Sequence, residues 1–143
     1  AAQGGKADGA LQAANLATVA QFRAGTTGGK VLGADTPYAA ADYVTLADAA
    51  SIAVNFSAGI NFTVTLAGNR TLAFPTNPKP GQRGSIEVRQ DATGSRTLAY
   101  ASGYKWPMGV KGVLSTAANA IDEIFYSVRS TGEVRLSLTN GWD

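Results

Sequence analysis

The chain has no cysteine and no histidine, a single methionine, and charged residues at only 15% of its 143 positions. Each shortage closes a class of chemistry. Without cysteine there are no disulfides, thiolate ligands or thiol redox couples. Without histidine the commonest general base and metal ligand is missing, so most nucleophilic triads and zinc sites are excluded. Long hydrophobic runs are missing too, because Gly, Thr, Asn, Asp or Arg interrupts every apolar stretch well short of the roughly 18 residues that mark a membrane-spanning helix. Residues 1–9 lack the basic stretch and apolar run of an export signal, and Ala1 is the kind of residue left by trimming an initiator Met, so a complete gene product is expected. The net charge of +2 gives neither a nucleic-acid-binding nor a disordered profile.

What is present is 45% hydrophobic residues, much of it alanine, and 17 glycines, in a length that suits one domain or one domain plus an arm. Residues 1–30 offer Leu11, Leu16, Val19 and Phe22 as their only large apolar side chains, spaced for an extended or weakly helical arm. Residues 31–42, with Gly33, Asp35 and Pro37, read as loop and turn. From Tyr43 the chain turns to short β segments. Residues 43–46 and 52–56 are apolar runs, and 61–66 alternates cleanly, with Phe62, Val64 and Leu66 on one face. Gly68 and Asn69 turn into a strand over 70–74, and the proline-rich stretch 75–84 is a rigid loop. Residues 85–90 and 96–100 read as a hairpin about a glycine-containing turn, and 121–130 with 133–138 as a second about Thr131 and Gly132. No repeat of solenoid type is read. These signals predict an all-β fold, a single antiparallel β-sandwich or barrel-like domain over 43–143, preceded by an N-terminal arm and loop over 1–42.

The candidate chemistry is sparse. Residues 25–30 imitate a phosphate loop, but the spacing is one residue short and Val31 stands where Ser or Thr is required. Glu87, Asp91, Asp122 and Glu123 are the carboxylates available for a glycosidase-like pair, and they read better as solvated edge charges or salt bridges. No calcium-binding run of acidic residues exists, so neither a metal nor another cofactor is expected. Tyr100, Tyr104 and Trp106 crowd into one stretch, with Lys105 between the last two. They suit a plug at one end of the domain or a subunit contact, with sugar stacking as the best ligand alternative. Arg83, Arg89, Arg96, Arg129 and Arg135 read as outward charges that discourage stray strand pairing. Three Asn-x-Ser/Thr triplets, at Asn55, Asn61 and Asn69, read as turn and strand polar residues.

Three segments carry a resemblance: Asn61-Phe-Thr-Val-Thr-Leu-Ala-Gly-Asn-Arg-Thr-Leu72, Pro75-Thr-Asn-Pro-Lys-Pro-Gly-Gln82, and Gln90-Asp-Ala-Thr-Gly-Ser-Arg-Thr-Leu-Ala-Tyr100. Together they resemble a β module of tailed-bacteriophage virion proteins found in tail-fibre, head-fibre and small accessory proteins. Val19-Ala-Gln-Phe-Arg23 and Leu46-Ala-Asp-Ala-Ala50 resemble segments that precede it. The resemblance covers about residues 44–138 and implies a virion structural role with no catalytic residues. Of the roles it implies, a capsid decoration (cement) protein on the outer surface of the head is preferred. Its partners would be the major capsid protein and its own copies in a homotrimer, with no nucleic acid and no membrane. Leu11, Leu16, Val19 and Phe22 would then anchor the arm, and Tyr104 and Trp106 would form a contact or exposed tip. The alternative is a head- or tail-fibre module that holds a host receptor or surface glycan through Tyr100, Tyr104 and Trp106. A carbohydrate-active enzyme, which would need a carboxylate pair, ranks third.

Overall fold

A computed structural model describes residues 16–26, 28 and 36–142. Among the described residues two short helices precede the β structure: α1, Val19–Ala24, and α2, Thr36–Ala41. The first is sharply bounded. Gln21 N–H donates to Thr18 Oγ1 at 3.2 Å and Thr18 N–H donates back to Gln21 Oε1 at 3.0 Å, while Gly25 closes the other end at φ 64°. Of the expected extended or weakly helical arm, Val19–Ala24 is thus helical. Arg23 donates to the carbonyls of Ala39 and Ala40, and Lys79 Nζ to that of Ala24, so α1 is folded back against its own chain. The loop expected at 31–42 gives way to α2 over its last part, with Pro37 in the first turn, where its missing N–H costs nothing.

Nine strands follow: β1 Tyr43–Thr45, β2 Ser51–Ile52, β3 Asn61–Leu66, β4 Arg70–Leu72, β5 Arg83–Gln90, β6 Leu98–Tyr100, β7 Tyr104–Lys105, β8 Ile121–Ser130 and β9 Glu133–Trp142. A six-stranded sheet runs β1-β3-β5-β8-β9-β7, and a three-stranded sheet runs β2-β4-β6. The first six strands thus alternate between two sheets, and the chain winds through three coils. Each coil lays one strand parallel to its predecessor in each sheet. The hairpin β8–β9 then adds to β5 antiparallel and carries β7 along its far edge. The expectation of an antiparallel domain is corrected, since five of these seven pairings are parallel. The fold is mostly β with one mixed sheet, and the hairpin expected between 85–90 and 96–100 does not form, because β5 and β6 lie in different sheets.

Strand alternation builds one core from both sheets. Val44, Phe62, Ile86, Ile124 and Leu138 form a single inward row across five strands, each in register with the next. Ile52, Val54, Phe56, Leu72 and Tyr100 face them from the other side of the coils. A second row, Val64, Val88 and Asp122, places a carboxylate among apolar neighbours. Asp122 is 1% exposed, which corrects its reading as a solvated edge charge. Its oxygens accept from Ser115 N–H at 2.6 Å, Ser115 Oγ at 2.7 Å, Gly141 N–H at 3.0 Å and Asn140 Nδ2 at 3.1 Å. Gln90, also buried, donates through Nε2 to the carbonyls of Ser115 and Arg96 and accepts from Arg96 N–H. These two polar groups hold Ser115 against the end of the core.

Candidate functional site: a banded sheet face and an apolar loop

The outer face of the six-stranded sheet is banded by register. Arg83, Ser127, Arg135 and Lys105 lie in one row across β5, β8, β9 and β7. Ser85, Phe125 and Ser137 form the next, with Tyr43 and Asn61 beyond them on β1 and β3. Thr45, Thr63, Glu87, Glu123 and Thr139 form the third. Asn61 Oδ1 accepts from Ser85 N–H at 3.1 Å within the second row, and Tyr43 Oη donates to Glu123 Oε1 at 3.0 Å to tie the second row to the third. An open groove of about 590 Å³ lies over the first two rows, lined by Asn61, Arg83, Ser85, Phe125, Arg135 and Ser137. Its floor at Gly84 cannot carry a side chain, because a Cβ there would collide with the Ile60 carbonyl and with Tyr126 Oη, which donates to that carbonyl at 2.6 Å.

The carboxylates singled out from sequence are brought together only in part. Glu87 and Glu123 sit directly opposite each other. Glu87 accepts from Arg89 Nε at 2.7 Å and from Thr63 Oγ1 at 2.9 Å, and the Arg89 guanidinium holds its carboxyl below the usual range, the opposite of what a general acid needs. Asp91 is engaged by Arg96 at 2.7 Å, well away from that pair in register, and Asp122 is committed to the core. Among the described residues no cluster of three or more potential metal ligands occurs.

The aromatic candidates divide differently from expectation. Tyr100 and Tyr104 are each 8% exposed and present no ring face to a ligand, a correction to their reading as contact or tip residues. They belong to an aromatic stack with Phe74 and Trp106 in which Tyr100 meets Trp106 edge-on at 4.8 Å. Tyr104 Oη donates to the Ala73 carbonyl at 2.8 Å. Only Trp106 reaches a surface depression, of about 210 Å³, which it lines with Lys105, Pro107 and Arg135, the last shared with the groove. Burial pushes the phenols of Tyr100, Tyr104 and Tyr126 well above their ordinary value. The folded state thus favours their neutral form, so this contribution to stability is complete below about pH 10 and declines as pH rises further. An alkaline absorbance titration is expected to show these three of the five tyrosines ionising only as the protein unfolds. Ionisation of all five near pH 10 in the folded state would contradict the burial.

Of the arm residues, Leu11 lies outside the described residues, Leu16 and Val19 are half-buried, and Phe22 lines a shallow cavity with Ile60, Lys79 and Gln82. Sequence reasoning read residues 101–114 as loop but did not single out the apolar side chains that follow Trp106. There Met108 is 99% exposed, Val113 80% and Val110 71%, on a backbone fixed at both ends. Met108 is held at φ 53°, Val110 N–H donates to the Pro107 carbonyl, Asn140 Nδ2 donates to the Val113 carbonyl at 3.0 Å, and Leu114 is buried. No protein-family model, curated protein or solved structure matches this chain.

Proposed function

We propose that this chain is a structural protein of a tailed-bacteriophage virion, a capsid decoration subunit that binds the outer surface of the head and stabilises the shell. The observation that supports the reading is the loop around Pro107–Gly109. Here Met108, Val110 and Val113 face solvent, which is the mark of a surface completed by another chain. The family resemblance carried by residues 61–72, 75–82 and 90–100 supplies the kind of assembly.

A decoration subunit acts by linkage. Contacts made only on the finished lattice add binding free energy to the assembled shell and none to its separated parts, so the shell better resists internal pressure. Separate contacts between copies of this chain would close a homotrimer. The class is tested by counting copies per virion with quantitative mass spectrometry against the major capsid protein. A number comparable with that protein is expected, whereas a few copies per particle would identify a fibre or spike instead.

The loop has its own test. Changing Met108, Val110 and Val113 together to serine is expected to weaken attachment to particles by about a hundredfold or more, since burying each such side chain contributes on the order of 1 kcal/mol or more. The unfolding temperature should stay within a degree or two, because these side chains touch little within the chain. Undiminished attachment would remove the loop from the contact.

A further inference from the structure

We infer that the groove on the outer face of the six-stranded sheet binds an acidic saccharide, a chain of sugar rings bearing carboxylates at intervals. This concerns the isolated chain and does not depend on where in a particle it sits. Four observations carry it. Phe125 is 43% exposed at the centre of the groove and offers the flat apolar surface on which the C–H face of a sugar stacks. Arg83 and Arg135 flank it on strands two apart, which sets their backbones about 10 Å from each other, enough to span a disaccharide. Among the described residues Arg83 has no ion pair. Arg135 uses only Nε, donating to Glu133 at 2.9 Å, so its terminal nitrogens are free for a carboxylate. Ser127 and Ser137 line the same groove with hydroxyls that match those of a sugar.

Lys105 and Trp106 extend the site beyond Arg135 and give a longer chain a further cation and a further aromatic edge. The row of Glu87 and Glu123 alongside selects the kind of anion. A nucleic-acid backbone, charged at every residue, would run against those carboxylates, whereas a saccharide with spaced charges can set its carboxylates on the arginine row alone.

The test uses the full chain and calorimetry with oligosaccharides of hyaluronan, unsulfated chondroitin, heparosan and a cellobiuronic-acid polymer, all with a carboxylate on every second sugar, each beside its carboxyl-reduced counterpart. At least one acidic chain is expected to bind, to lose about tenfold or more on carboxyl reduction, and to weaken as salt is raised. R83Q/R135Q and F125A are each expected to lose tenfold or more in affinity. Both variants should keep the parent unfolding temperature, which separates lost recognition from lost fold. Failure of all four saccharides to bind would overturn the assignment, as would equal binding of the reduced forms or undiminished binding by the arginine variant. Tighter binding of an oligothymidylate of matching length would overturn it in favour of a single-stranded nucleic-acid site.

Discussion

Replacing Asp122 with alanine is expected to destabilise the protein by about 3 kcal/mol or more, since four donors lose their acceptor at once and a buried donor left unsatisfied costs on the order of 1–3 kcal/mol. The carboxylate is 1% exposed, in register with Val88, and four donors from two segments converge on it. Alanine leaves the amides of Ser115 and Gly141 and the side chains of Ser115 and Asn140 without their acceptor. Asparagine keeps the volume but sets an amide donor toward donors, so D122N should recover little of the loss. Denaturant unfolding reads the change directly, and hydrogen exchange at Ser115 and Gly141 should accelerate together. A loss below about 1 kcal/mol for the alanine variant would mean that solvent reaches the site and replaces the carboxylate.

The second large effect is expected at Phe56, where alanine should cost about 3–5 kcal/mol. This ring is 1% exposed and lies between two others, stacked on Tyr126 at 4.3 Å with the planes 15° apart and on Phe62 at 5.9 Å. It joins the first coil to the hairpin, because Tyr126 belongs to β8. Phe56→Leu keeps most of the volume and should cost about 1.5 kcal/mol or less. A loss as small for alanine as for leucine would show that the surrounding side chains collapse into the space. Against a total stability of order 5–15 kcal/mol, either alanine variant removes a large share.

The parts of the fold that sequence revealed are those decided by neighbours along the chain. The β8–β9 hairpin was legible because Thr131 and Gly132 form the turn between two alternating strands, and β3 because Phe62, Val64 and Leu66 keep a period of two. Pairing between coils left no such trace. Gly68-Asn69 and the stretch around Gly94 look like hairpin turns, but they are corners that send the chain to the other sheet. A signal was there to be read: Gly68-Asn-Arg-Thr-Leu-Ala-Phe74 recurs as Gly94-Ser-Arg-Thr-Leu-Ala-Tyr100, once at each corner. In both copies the arginine is paired with an aspartate, Arg70 with Asp48 and Arg96 with Asp91. Asp122 was legible in principle as well, since it shares the phase of Ile124, Tyr126 and Val128 and so had to face inward. The partners that make its burial tolerable come from the far ends of two other segments. The arginine row depends wholly on register across four strands, which no local pattern encodes.

Coils stacked in parallel and ended by an antiparallel hairpin give the molecule a growing end and a finished end. In the larger sheet the outer edge of β5 is taken by β8, so another coil can join the stack only beside β1 and β2, where the chain enters. A duplicated corner motif provides the means to make one. Such a coil would lengthen the banded face without disturbing Arg83, Phe125 or Arg135, which sit on the strands nearest the finished end. Reach and recognition can therefore be varied independently in this architecture.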